Sequence, residues 1–233
     1  MKFLYLILAN GCLFANDTTA QETLKFTVPA GESISSILAD TIIFKHPNFV
    51  YGGVYFKNRE VSNALLNYNL LLGEIQFIDQ KGDTLSLADE NNIKYITVGK
   101  DSFFYSKGFI QLVTANDAVK LGVIEKLTLA DKKKIGAYNQ PTTRSSTRSY
   151  SSVSINNQRS LLSMSEEMVF TKERKYYLGD RFSKFLELNK KNLYKMFSAN
   201  YTEIESYLKE NAIDFNKKDD VIKLSSFLQR YSK

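Results

Sequence analysis

The chain predicts an α+β fold: an antiparallel β meander, curved sheet or sandwich, followed by two or three short C-terminal helices. Two observations carry that prediction. Between Leu24 and Leu178, apolar side chains alternate along short segments spaced about ten residues apart and separated by polar turns, the pattern of antiparallel strands. After Gly179 the apolar period lengthens to that of helices. Composition agrees, because 43% hydrophobic and 24% charged residues over 233 positions suit one folded domain with an appendage.

Taken in order, the first element is a leader. Lys2 gives a positive start, Phe3 to Phe14 is apolar apart from Asn10, Gly11 and Cys12, and Thr18-Thr19-Ala20 places small residues at a cut. That arrangement predicts a secretory signal over 1–20, cleaved after Ala20 to leave Gln21 as the mature N-terminus; a cut after Ala15 is the alternative. The apolar run is too short to span a bilayer, so no transmembrane segment is expected in the mature chain. A lipid anchor at Cys12 is a further alternative, but Asn10 fits a lipoprotein signal badly. With Cys12 removed the mature chain would hold no cysteine, which excludes disulfides, thiolate nucleophiles and cysteine zinc sites.

The β-rich domain is expected over 21–181. Leu24–Val28 alternates and is ended by Pro29-Ala30-Gly31; Thr41–Phe44 and Phe49–Phe56 read as further strands, with Gly52-Gly53 as a kink or bulge. Gly73–Ile78 and Asp83–Leu87 flank a turn with a glycine near its end, the demand of a hairpin. Ile93–Val98, Ser102–Tyr105, Phe109–Val113 and Val119–Leu129 continue the series. Asn139–Ser160 interrupts it with Pro141, seven serines, three threonines and three arginines; so little apolar surface predicts a flexible loop. Leu161–Phe170 and Arg174–Leu178 resume as strands.

Helices are expected over 182–233, packed on the sheet. Phe182, Phe185, Leu186, Leu193, Met196 and Phe197 fall on one helical face. Thr202-Glu203-Ile204-Glu205 has the form of a capping box, and Val221, Leu224, Leu228 and Tyr231 form a last stripe with Asn216 as its cap. These helices and the charged residues along many strands argue against a membrane barrel.

The search for chemistry ends without a site. His46 precedes Pro47 and reads as a surface turn residue; a single histidine excludes a histidine-rich metal site. Asp79 and Asp83 flank a turn, without the spacing of a calcium loop. Ser206 and Lys209 spell Ser-x-x-Lys, but its companion motifs are missing. Gly52-Gly53 lacks the sequel of a phosphate loop. No catalytic, cofactor-binding or metal-ligating residue is therefore assigned, and no cofactor is expected.

Charge is uneven. Residues 21–130 hold 10 basic and 12 acidic side chains, whereas 131–181 hold 10 and 5, and 182–233 hold 10 and 7. The basic second half suits a solvated surface or attraction to anionic envelope material better than nucleic acid, which is not expected as a partner.

Asn67–Ile78, Lys81–Leu85, Ile135–Tyr138, Lys175–Asp180 and Asn211–Phe215 together resemble a group of exported, β-rich cell-envelope proteins of Bacteroidota-type bacteria. The resemblance implies export and an envelope setting, in the periplasm or associated with the outer membrane, and carries no activity or site residue. The expected function is a non-enzymatic binding or structural module for an envelope protein or glycan. A carboxylate-dependent hydrolase on a β scaffold, with two carboxylates about 5–10 Å apart, is the alternative.

Overall fold

The computed structural model describes residues 24–115, 119–134 and 166–231; the predicted leader and the Ser/Thr/Arg-rich loop at 139–160 lie outside them. Its centre is an antiparallel sheet of eleven strands, followed by C-terminal helices, as the sequence predicts. The strands are β1 (Lys25–Val28), β2 (Val50–Phe56), β3 (Val61–Asn69), β4 (Glu74–Ile78), β5 (Thr84–Ser86), β6 (Ile93–Val98), β7 (Asp101–Tyr105), β8 (Phe109–Ala115), β9 (Lys120–Lys134), β10 (Glu166–Gly179) and β11 (Phe185–Glu187). Their order is β1-β10-β9-β8-β7-β6-β2-β3-β4-β5, with β11 also paired to β10.

The sheet curls. Four strands separate β3 from β9 in the sheet order, yet the Tyr68 hydroxyl donates to Glu125 O (2.9 Å) and Leu127 N–H donates to Leu70 O (2.8 Å). Inside the curl Leu66, Tyr68, Ile75, Ile96, Val98 and Phe103 pack with Leu127, Met168 and Phe170 in a core drawn from both ends of the sheet. A second core lies at the far end of the β9–β10 hairpin. Leu121, Val123, Tyr176 and Leu178 there meet α3 (Lys190–Met196), α4 (Tyr201–Glu210) and α5 (Lys218–Leu228), which bury Leu193, Ile204, Leu208, Val221, Leu224 and Leu228.

Several elements differ from expectation, each for a physical reason. Thr41–Phe44 is no strand: Asp40–Ile43 closes one helical turn (α2, after the short α1 at Ile34–Ile37) and buries Ile43. A short apolar run fits either state, and tertiary packing decides. β3 is a strand that alternation does not reveal, because it carries Asn63, Asn67 and Asn69. Asn67 and Asn69 are buried but satisfied: Asn67 bridges His46 and Asn48, and Asn69 Oδ1 accepts from Leu71 and Leu72 N–H. The two strands expected before Gly179 form one strand, β10.

The helix expected from Phe182 begins only at Lys190, capped by Asn189 Oδ1. Before it comes a tight turn in which Asp180 Oδ1 accepts from Phe182 and Lys184 N–H (2.9 Å each), then β11. Phe185 belongs to that strand because its ring lies over Gly122 and Gly179; a Cβ on Gly179 would stand 2.7 Å from it. The helical spacing of Phe182, Phe185 and Leu186 is coincidental: Phe182 is 75% exposed. The expected capping box is not formed, since Thr202 lies inside α4 and Glu205 instead pairs with Lys209 (3.2 Å). Nor is Asn216 the last cap; α5 starts after Lys217, with Asp220 Oδ2 accepting from Asp214 N–H. Gly52 serves close approach, since a Cβ there would stand 2.0 Å from Thr97 O, and the β2–β6 register shifts three residues later, at Tyr55/Phe56.

Candidate functional site

Among the described residues, two places stand out in combining polar groups with accessible surface. The first lies where the two cores meet. Along β9 the side chains of Leu121, Val123, Glu125 and Leu127 share one face, and the register places Val123 opposite Tyr176 and Glu125 opposite Arg174 on β10. Glu125 thus interrupts an apolar row midway between helical core and strand core, and is 7% exposed. It accepts from Lys45 Nζ (2.8 Å) and Arg174 Nε, and Lys172 Nζ stands 3.7 Å away.

Burial disfavours a charge on Glu125, but hydrogen bonds from Arg174 and Lys45 and the nearby Lys172 ammonium outweigh it, holding the carboxyl at about 2. Burial, then the Glu125 charge, push the Tyr68 hydroxyl well above its ordinary value, so it stays a donor. Next to this cluster runs a groove of about 420 Å³, lined by Leu24, Lys172–Tyr176, Glu187, Leu188, Phe215 and Asn216. Cations dominate its β10 wall.

The second place is on the outer face of the sheet. Tyr55 and Tyr95 stack (centroids 4.3 Å apart, 14° between planes), and Phe104 continues the row to Phe185. At its end a cleft of about 300 Å³ is lined by Phe104, Tyr105, Phe182 and Ile93, with Lys57, Lys94, Glu90 and Asn91 among its polar groups. Lys57 Nζ donates to Asn91 O (2.6 Å), and Phe182 stands on the Asp180-bonded turn, where Ser183 has φ 59°.

The residues weighed from sequence are scattered. Asp79 Oδ1 accepts from Lys81 and Asp83 N–H (2.8 Å each), a turn role as expected. Ser206 is exposed on α4 while Lys209 is engaged by Glu205, so the pair has no activated serine. His46 departs from the surface reading: it is half-buried, its Nε2 lies 3.2 Å from Asp101 Oδ2 without the alignment of a hydrogen bond, and its backbone joins Asn67. No group of three or more His, Cys, Asp or Glu among the described residues is placed to hold a metal ion. No helix among them is long and apolar enough to cross a membrane.

Sequence reasoning missed the Glu125 cluster, although a signal was present. Glu125 occupies a position where the alternation of Leu121, Val123 and Leu127 calls for an apolar side chain, and Arg174 does the same before Tyr176 and Leu178. Compared with known proteins, the chain matches no family model, no curated protein and no solved structure.

Proposed function

We propose that this is an exported cell-envelope protein, in the periplasm or associated with the outer membrane, acting as a non-enzymatic binding or structural module for a partner protein or glycan. The leader-like first twenty residues support export. The observation that carries binding is Phe182, 75% exposed on a turn whose Phe182 and Lys184 N–H groups both donate to Asp180 Oδ1, beside Phe104 and Tyr105 in a cleft with a charged rim. The turn that carries the ring is already held by these bonds, so little backbone entropy is lost there when a ligand covers the ring. Its face suits the apolar face of a sugar ring or a partner's apolar anchor, while Lys57, Lys94, Glu90 and Asn91 offer donors and acceptors around it.

The test is capture of envelope proteins and envelope glycan fragments by the exported protein, compared with Phe182→Ala. A loss of about tenfold or more in affinity, at unchanged stability, supports the reading; equal capture by the variant rejects the cleft as its site.

The hydrolase reading attaches to the groove, where Glu173 and Glu187 both line the wall. Glu125, held ionised by three cations, is unsuited to donate a proton near neutral pH. Glycan cleavage abolished by both Glu173→Gln and Glu187→Gln would replace the binding reading with the hydrolase.

A further inference from the structure

The cleft at the end of the outer aromatic row is lined by two turns, and each is tied to the sheet by its own hydrogen bonds. One is the single 3-10 turn Glu90–Asn92, held at the end of β2: Lys57 N–H donates to Asn92 O (2.9 Å) and Lys57 Nζ to Asn91 O (2.6 Å). Asn92 Nδ2 closes it from within by donating to Asp89 Oδ2 (2.6 Å). The other is the turn that carries Phe182, held to β9 because Lys120 Nζ donates to Asp180 O (3.3 Å) and to Arg181 O (3.0 Å). Both turns are thus ordered in the protein alone, and a ligand that bridges them orders little further backbone.

The side chains gathered by these turns decide what fits. Phe182 offers an exposed ring face, and Lys57 and Lys94 set two ammonium groups against the one carboxylate of Glu90. Among the described residues neither lysine forms an ion pair, and the Lys57 ammonium keeps donors beyond the one given to Asn91 O. A protein's apolar anchor suits this lining poorly, since lysine and glutamate are depleted in the cores of protein interfaces. A sugar ring suits it well: its C–H face lies on Phe182 while its hydroxyls meet Glu90 and Asn91. The volume of about 300 Å³ is that of a small-ligand site, and the positive excess calls for an anion. We infer that the cleft takes an acidic sugar, a glycan unit bearing a carboxylate or sulfate, with Phe182 against its ring and Lys57 and Lys94 on its anionic group; this rests on the reading of the cleft as a binding site.

Calorimetric titration of the full chain tests it, with oligogalacturonate and a sulfated galactan oligosaccharide as probes, each beside its neutral twin (methyl-esterified or desulfated). At least one acidic probe should bind about fivefold or more tighter than its twin, the gain available from exposed ion pairs, and high salt should shrink that preference. Which acidic probe binds identifies the anionic group as carboxylate or sulfate. Lys94→Gln, at an exposed side chain, should weaken acidic binding about two- to fivefold at unchanged Tm, whereas Phe182→Ala should weaken acidic and neutral binding alike. Neutral twins that bind as tightly as the acidic probes, with Phe182→Ala weakening both, overturn the acidic preference and leave the cleft's binding role standing. Acidic binding that Phe182→Ala leaves unchanged overturns the inference and the cleft reading together. Failure of every sugar to bind overturns the inference; capture of an envelope protein that depends on Phe182 would then keep the binding reading without it.

Discussion

One face of the β9–β10 hairpin closes two unlike cores. At one end Leu127, Met168 and Phe170 complete a core whose other walls are mainly strands, tied to it by backbone ladders and by the Leu127–Leu70 hydrogen bond. At the other end Leu121, Val123, Tyr176 and Leu178 complete a core walled by α3, α4 and α5. The helices are held there mainly by side-chain burial, with β11 and the Leu188–Tyr176 bond as the backbone link. Identical alternation thus serves both ends, and the partner that covers each end comes from a different stretch of the chain. Between them Glu125 marks the boundary with charge.

The largest expected effect comes from removing one side. Truncation after Asp180 strips the cover from Leu121, Val123, Tyr176 and Leu178, and burying each such side chain is worth roughly 1.5–3 kcal/mol, so the sum rivals a domain's whole stability. The truncated chain should be aggregated or unfolded by circular dichroism and gel filtration. A soluble, folded truncate would separate the two ends into independent units.

At the boundary itself, Glu125→Gln leaves Lys45, Lys172 and Arg174 without the anion that gathers them. Breaking a buried pair costs about 3–5 kcal/mol, and the partial exposure of these cations brings the expectation to about 2–3 kcal/mol in denaturant melts. Acid provides a second reading of the same interaction. The folded carboxyl sits at about 2, below its ordinary value of 4.5, so its contribution is fully present above pH 4.5 and is lost as pH falls toward 2. Wild type should therefore lose more stability than Glu125→Gln between pH 5 and about pH 2; parallel losses would remove Glu125 as the coupling group.

A smaller effect probes how β11 is fixed to the strand side. A Cβ at Gly122 would stand 2.3 Å from Ile110 Cγ2 and 3.2 Å from the Phe185 ring. Gly122→Ala should cost about 1–3 kcal/mol by overpacking, read as a lowered denaturation midpoint. Smallest of all is Phe182→Ala, expected within about 0.5 kcal/mol of wild type because the ring is mostly in water. A larger loss would mean the ring supports the fold, and would weaken its assignment to ligand contact.

The same division explains how much of the fold was legible in the sequence. Strands that alternate, such as β1 and β4, could be read directly, because one face is more buried than the other. β3 was hidden, since asparagines that disfavour strands in isolation are satisfied here by long-range partners such as His46 and Asn48. Phe185 was misassigned because its fit over two glycines is a tertiary fact without a local period. Glu125 announced itself only as a charge in an apolar register, and its cations come from positions up to 80 residues away. The cleft was invisible for a related reason: Phe104, Phe182 and Lys57 converge only when the sheet and the hairpin turn are in place.

The central claim is that the two cores open together. Leu224 and Leu66 are both fully buried, one among the helices and one among the strands. Leu224→Ala should cost about 2–5 kcal/mol. Native-state hydrogen exchange on this variant is the most direct measurement, comparing the slowest amides of α4 and α5 with those of β3 and β6. One cooperative unit predicts that both sets lose protection by the same free energy. Loss confined to the helices, with strand amides unchanged, would contradict it.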